Sequence, residues 1–478
     1  MTVVVTAQGR VRGVREEHAT VFRGIPYAAA PFGPRRFDVP RPPEPWEGVR
    51  DATAFGPTAP KHPYRPPLSE LLPDPDAPGD DCLNLNVWTP DPAGGPYPVM
   101  VWIHGGSFCH GSNRAPVYDG TAFARDGVVL VSVNYRLGVE GFAVLPDAPA
   151  NLGLRDQIAA LEWVRDNIHA FGGDPGSVTV FGESAGAVSV AALLTAPRAA
   201  GLCRRAVLQS GAPTAMPPDR AGRATRAIAD RLGVPATAAA LRTVPVPRLL
   251  DAQRQVLDGG NPITGGPGFH LAVDGDVLPE HPAAALADGA SADVDLLMGT
   301  TTEEYRLWFV PGGLTERVSP LALRLAMLKK RVPRSAARTY RRHRPGATPG
   351  EILGALATDL LLRVPQNRLA DARRPGRTFL YEFAWPTPVQ GLGACHALEL
   401  GFVFDTLRSA DVRALTGPDA PQALADAVHA AWVEFAKTGS PGWEAWSAAR
   451  PVMTYDATGG RLVHAPREAE RRLWDSHA

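Results

Sequence analysis

The stretch FGGDPGSVTVFGESAG, residues 171–186, decides the architecture. Its middle, Val178–Phe181, is a short run of β-branched and aromatic residues, as buried strands are. Its end, Gly182-Glu183-Ser184-Ala185-Gly186, is a small-residue corner, and the segment from Ala185 to Leu194 beyond it reads as a helix stopped near Pro197. A strand that turns sharply into a helix through Gly-x-Ser-x-Gly holds its serine strained at the strand's end, with the hydroxyl lifted clear of the sheet. The flanking glycines let the backbone fold back on itself. Ser184 therefore reads as a nucleophile, and the helix N-terminus, with the Ala185 N–H, as a place where negative charge on a substrate is stabilised.

Outward from this corner the chain alternates between strand and helix. Val99–Ile103 and Val128–Val133 are apolar runs upstream, and residues 151–172 space apolar side chains at helical intervals before a Gly-Gly stop. Residues 205–209, 294–298 and 378–385 read as further strands downstream. The alternation predicts an α/β fold, a mainly parallel central sheet flanked by helices. Residues 212–265 and 312–372 look helical and polar and are expected as inserted cap segments of a single domain spanning residues 1–478. The N-terminus reads as a strand, a turn at Gln8-Gly9 and a second strand. Residues 57–80 carry eight prolines, which excludes a helix or a central strand and leaves a long, mobile or functional loop.

The 478 residues hold 49 basic and 49 acidic side chains, a balance that argues against a strongly basic nucleic-acid binder and an acidic solvating tail. No apolar run approaches the ~20 residues of a membrane helix, and the N-terminus lacks the pattern of a secretory signal. The four cysteines (Cys82, Cys109, Cys203, Cys395) show neither CxxC spacing nor a metal-ligand pattern. We expect a cytoplasmic protein, monomeric or weakly oligomeric, with no metal or cofactor and no nucleic-acid or membrane partner.

A serine hydroxyl is a poor nucleophile without an adjacent base. His104-Gly105-Gly106-Ser107-Phe108 follows a predicted strand one element earlier, and its backbone N–H groups suit the second half of an oxyanion hole. An acid is expected after a strand downstream of Ser184, where Glu303 and Glu304 follow residues 294–302. A histidine is expected on a loop after a late strand; His396, in residues 393–404, has that position, and His464 is its competitor.

Residues 171–186 resemble throughout the nucleophile signature of the type-B carboxylesterases, the cholinesterase-like and para-nitrobenzyl-esterase-like branch of the α/β-hydrolases. Residues 81–88 (DCLNLNVW) resemble the second signature, with Asn84 where an aromatic or threonine is usual. Residues 22–37, 134–142, 151–157 and 432–441 resemble further blocks, so the likeness runs from near residue 5 to about 455 and is loosest between 212 and 372. The resemblance implies a serine carboxylesterase acting on small-molecule esters. It implies a triad of Ser184, Glu304 (Glu303 as fallback) and His396, and oxyanion donors at Gly106, Ser107 and Ala185. Ser210 would be buried behind the triad and Glu183 would line the pocket. Arg36–Asp80 and Arg136–Asp156 resemble family ion pairs. Secreted relatives close a disulfide at the position of Cys82; its partner position here is Ala59, which implies an unpinned loop. The acyl-pocket segment, residues 265–269, is glycine-rich and implies room for acyl chains longer than acetyl. The Gly-Gly-small donor loop resembles those of enzymes that admit bulky, tertiary alcohol esters. Phe108, Phe269, Leu307 and Trp308, with Phe309, are the expected pocket wall. An acyltransferase or amidase using the same triad, and a non-catalytic binding protein of the same fold, are the alternatives.

Overall fold

The structure, a computed structural model, describes residues 1–258, 266–373 and 376–475. Its strands are β1 (Thr2–Thr6), β2 (Gly9–Arg15), β3 (Thr20–Pro26), β4 (Val49–Asp51), β5 (Asn84–Thr89), β6 (Tyr97–Ile103), β7 (Val129–Val133), β8 (Gly173–Glu183), β9 (Arg205–Gln209), β10 (Asp295–Thr301), β11 (Thr378–Phe383), β12 (Pro451–Asp456) and β13 (Gly459–His464). They form one sheet in the order β1-β2-β3-β5-β7-β6-β8-β9-β10-β11-β12-β13, with β4 beside β2. From β7 to β12 every neighbouring pair is parallel, and the antiparallel strands sit at the two ends.

Parallel strands covered on both faces read as continuous apolar runs, because both sets of alternating side chains are buried. Val99, Val101, Val178, Val180, Leu296 and Met298 enter one core with the helices Leu152–Asn167 and Ala185–Leu193. Their alternates Met100, Trp102, Phe181 and Leu297 enter a second core with the helix Gln422–Thr438, through Val428, Trp432 and Phe435. Burying one such Leu, Val or Phe side chain stabilises the fold by about 1.5–3 kcal/mol. The sheet is thereby clamped from both sides, and the C-terminal ends of β6, β8, β10 and β11 present fixed platforms for the loops beyond them.

The insertions are helical as expected: four helices between Pro218 and Leu257, and further helices from Leu314 to Ala372 with a π-turn at Asp359–Arg363. The last seven residues of the first predicted insertion, 259–265, lie outside the described residues. Two expectations need correction. The proline-rich segment contains a short helix, Leu68–Leu71, because no proline falls between Pro67 and Pro73. Arg36 does not pair with Asp80, which is exposed; its guanidinium binds the buried carboxylate of Glu140 at 2.5–3.1 Å and the carbonyls of Leu241 and Val244. Arg136 does bind Asp156, through two hydrogen bonds of 2.6 and 2.8 Å in the core. The four cysteines are unpaired, and Cys82 is buried. Among the described residues no helix is long and apolar enough to cross a membrane.

Candidate active site

Ser184 stands between β8 and the helix Ala185–Leu193 with φ 56° and ψ −122°, a conformation that L residues rarely adopt and that surrounding structure must enforce. Backbone contact enforces it. A Cβ on Gly182 would come within 2.6 Å of the Gly186 carbonyl carbon, and one on Gly186 would collide with the Ile103 carbonyl at the end of β6. Ser184 N–H donates to Gln209 O at 2.9 Å, which ties the corner to β9. The Ser184 side chain has no hydrogen-bond partner among the described residues and is partly exposed to a cavity.

The loop after β6 runs beside this corner, and it carries the residues expected as oxyanion donors. Gly106, Ser107 and Phe108 all have positive φ (110°, 53° and 61°), and the N–H groups of Cys109 and His110 close the turn onto Gly106 O at 3.0 and 2.9 Å. Gly105 must lack a side chain, because a Cβ there would stand 3.2 Å from Ser184 Cβ and 2.8 Å from Glu183 O. The N–H groups of Gly106 and Ser107 have no acceptor among the described residues. Ala185 is the first helical residue, where N–H groups lack intrahelical partners. Ser107 and Ala185 line the cavity, and Gly106, half-buried, immediately precedes Ser107. Burial holds the His104 imidazole down to about 4, and with Nδ1 against Gly105 O and its ring stacked on Tyr135 it braces the loop as a neutral ring.

His396 follows β11, and its Nδ1 lies 2.5 Å from Glu304 Oε2. Glu304 follows β10; its Oε1 accepts from Ser210 Oγ at 2.7 Å and from Thr301 N at 2.8 Å. Glu304 is fully buried and His396 nearly so. Glu303 is turned away and held by Arg306 at 2.6 Å and by Ala394 N–H. His464 is exposed on β13, paired with Glu444, and takes no part. The ring of Trp308 packs on His396 with centroids 4.7 Å apart.

The other imidazole nitrogen has an occupant. Glu183 Oε1 lies 2.8 Å from His396 Nε2, a buried contact between carboxylate and imidazole. Burial lowers the His396 pKa, but the carboxylates of Glu183 and Glu304 outweigh it and hold the imidazole well above its usual range. Burial raises Glu183, with Glu304 adding to the rise and His396 opposing it. A third carboxyl, Glu399, hydrogen-bonded by Gln209 at 3.3 Å, is pushed up to about 8 by burial and by Glu183 and Glu304. Such clustered, perturbed groups mark functional sites.

One further network fixes the donor loop and was not foreseen from sequence. The buried Asp74, in the proline-rich segment, accepts from Gly111 N–H at 3.0 Å and meets His110 Nδ1 at 3.2 Å and Lys61 Nζ at 3.3 Å. Tyr64 stacks on His110 with centroids 3.9 Å apart. The segment is thus pinned by charge to the end of the donor turn. The only sequence signal was the proline density itself, which marks a loop without naming its partner. Glu399 was missed for a similar reason: a glutamate three residues past His396 has nothing in sequence to show that it is buried.

These groups open into a cavity of about 1570 Å³. Ser107, Phe108, Ser184, Ala185, Ser210, Phe269, Glu304, Trp308 and His396 line it. Leu307 and Phe309 do not: the chain is helical from Arg306 to Phe309, and the turn that aims Trp308 at the cavity sends its neighbours into the core. Of the glycine-rich acyl segment, Gly266 to Phe269 line the cavity and Gly265 lies outside the described residues.

The chain matches the carboxylesterase family over residues 1–469. It is 40% identical to the para-nitrobenzyl esterase of Bacillus subtilis over 459 residues, 93% of this chain and 92% of that protein. It is 38% identical to the phenmedipham hydrolase of Pseudarthrobacter oxydans over 91% of this chain and 90% of that one. A crystal structure of a carboxylesterase from Geobacillus stearothermophilus superposes with a TM-score of 0.89 at 39% identity, covering 99% of this chain and 100% of that one.

Proposed function

This chain belongs to the carboxylesterase family, a serine carboxylesterase of the α/β-hydrolase fold, and we propose that it works through an acyl-enzyme on Ser184. The observation that carries this reading is the hydrogen-bonded line Ser210–Glu304–His396 opening into the same cavity as a strained Ser184. His396 Nε2 takes the hydroxyl proton as Ser184 Oγ attacks the ester carbonyl. Glu304 keeps the proton on Nδ1 and stabilises the imidazolium. The N–H groups of Gly106, Ser107 and Ala185 receive the oxyanion, each donor supplying about 3–4 kcal/mol in the transition state. His396 then protonates the leaving alcohol, and water repeats the sequence to free the acid. In this scheme Nε2 leaves Glu183 and turns to Ser184 when substrate enters; apo sites commonly tighten their catalytic hydrogen bonds only on binding.

The cavity volume and the glycine-rich segment beside Phe269 support esters with bulky acyl or alcohol parts, and the para-nitrobenzyl esterase relative supports aromatic alcohols among them. The unpaired, buried Cys82 favours a reducing, cytoplasmic setting. Turnover of p-nitrophenyl butyrate by the wild type and by Ser184→Ala tests the scheme. The wild type should show a burst of p-nitrophenol equal to enzyme concentration, and Ser184→Ala none; a burst in the variant removes Ser184 from the mechanism.

A further inference from the structure

The zero net charge conceals a local excess. Between Glu316 and Glu351 the chain contains no acidic residue. Arg324, Lys329, Lys330, Arg331, Arg338 and Arg341 are exposed there, and none has an ion-pair partner among the described residues. Nearby, Glu470 is occupied by His343 and Arg344. The same segment carries three of the most exposed large apolar side chains: Leu321 (64%), Leu325 (56%) and Leu328 (71%) on the helix Pro320–Lys329. Positions i, i+4 and i+7 form one stripe. Leu323 and Met327 fall on the opposite side and are buried. Arg324 and Lys329 fall on either flank of the leucine stripe, where long cationic side chains reach up past an apolar strip.

A stripe of leucines between cations, on a helix otherwise packed down, suits a surface that is apolar within and anionic at its face. We propose that this helix face docks on an anionic lipid interface. A nucleic acid would use the cations and leave the leucines in water. A second copy docking by the same face would set cation against cation. The position gives the contact a use: Lys330, the residue that ends the helix, lines the catalytic cavity together with Leu361, Pro311 and Gly312, so a lipid surface held here lies beside that cavity. Esters dissolved in that surface reach Ser184 without crossing water. The delivery rests on the esterase reading above; the docking does not.

Co-sedimentation with vesicles of phosphatidylcholine alone, and of phosphatidylcholine mixed with phosphatidylserine, separates the two. Binding to the mixed vesicles is expected, weakened by salt and by about tenfold or more in Leu321→Ser/Leu325→Ser/Leu328→Ser and in Arg324→Glu/Lys329→Glu. Turnover of p-nitrophenyl acetate in vesicle-free buffer should be unchanged in both variants, which also reports that they fold. Absence of binding to the mixed vesicles, or equal binding by wild type and variants, overturns the proposal. So does a solution dimer that the leucine substitutions dissociate, or retention on RNA that the charge substitutions alone abolish.

Discussion

Glu304→Gln asks the site to work with an amide in place of a carboxylate. Glu304 Oε1 accepts two donors, Ser210 Oγ–H and the Thr301 N–H, while Oε2 faces His396 Nδ1. An amide has one oxygen and one NH2 to share between these positions. With its oxygen toward His396, the NH2 would point at Thr301 N–H; the Ser210 hydroxyl can rotate to accept, but a backbone N–H cannot. One buried donor left unmade costs about 1–3 kcal/mol. The oxygen therefore stays with Ser210 and Thr301, and the NH2 faces Nδ1. Nδ1 must then accept, the ring proton moves to Nε2, and the imidazole can no longer take the Ser184 proton. The productive orientation, when reached, also lacks the negative charge opposite the imidazolium, worth about 4 kcal/mol at an effective dielectric of roughly 20. Together the losses reach roughly 5–7 kcal/mol, on the order of 10⁴-fold in kcat. Steady-state p-nitrophenyl butyrate hydrolysis measures this, with thermal unfolding to show that the variant folds. Glu303→Gln is the control, expected within about threefold because its half-exposed pair with Arg306 lies outside the line of proton transfer. Retention of more than about a hundredth of wild-type kcat by Glu304→Gln would refute the tautomer argument.

Glu183→Gln tests the second carboxylate. His396 must be neutral to act as base, so wild-type kcat/KM rises with pH as a raised imidazolium loses its proton; removing one flanking charge lowers that pKa. The acid limb of the pH profile should move to lower pH in the variant, and an unmoved limb would show that Glu183 does not act on the imidazole. Asp74→Asn should slow kcat by loosening the donor turn and destabilise the protein by about 3–5 kcal/mol, because it strands the buried Lys61. The contact of Asp74 with His110 sets a pH dependence. Burial lowers His110, but Cys109 and Asp74 raise it to about 10, so its contribution is complete below the ordinary imidazole pKa and lost as pH rises through about 10. Chemical denaturation across that range should show the loss in wild type and a smaller one in Asp74→Asn, where Cys109 alone still raises His110.

The parts of the site legible in sequence are those whose chemistry is local. A strand, a glycine-flanked serine and a helix are contiguous, so the placement of Ser184 at the corner and of Ala185 at the head of the helix follows from spacing alone, as does the Gly105-Gly106 loop after β6. Glu304 over Glu303 needed the family pattern, because adjacent side chains on an irregular loop have no fixed period; only the contacts of Arg306 and Ser210 distinguish them. Partners far apart in the chain were legible only through the resemblance, as with Glu304 and His396, and not always then. Arg36 finds Glu140 rather than Asp80 because the helix Gly138–Phe142 brings that carboxylate under it, 104 residues away. The contact of Glu183 with His396 Nε2 depends on rotamers that no periodicity encodes. Trp308 and Leu307 were assigned together, and one helical turn sent them to opposite sides. The basic helix escaped because a charge sum over the whole chain averages away a cluster.

The collision awaiting any side chain at Gly186 has a consequence for how this enzyme can change. The serine corner leans directly on the carbonyl that launches the donor loop, so neither can be re-aimed without dragging the other along. Selection, natural or in the laboratory, meets there a mechanism welded into one piece. Variation is left to the rim, where the proline-rich segment, the glycine stretch before Phe269 and the chain around Trp308 can be redrawn one at a time. New substrates should therefore be reached by reshaping the doorway, with the machinery behind it passed on unaltered.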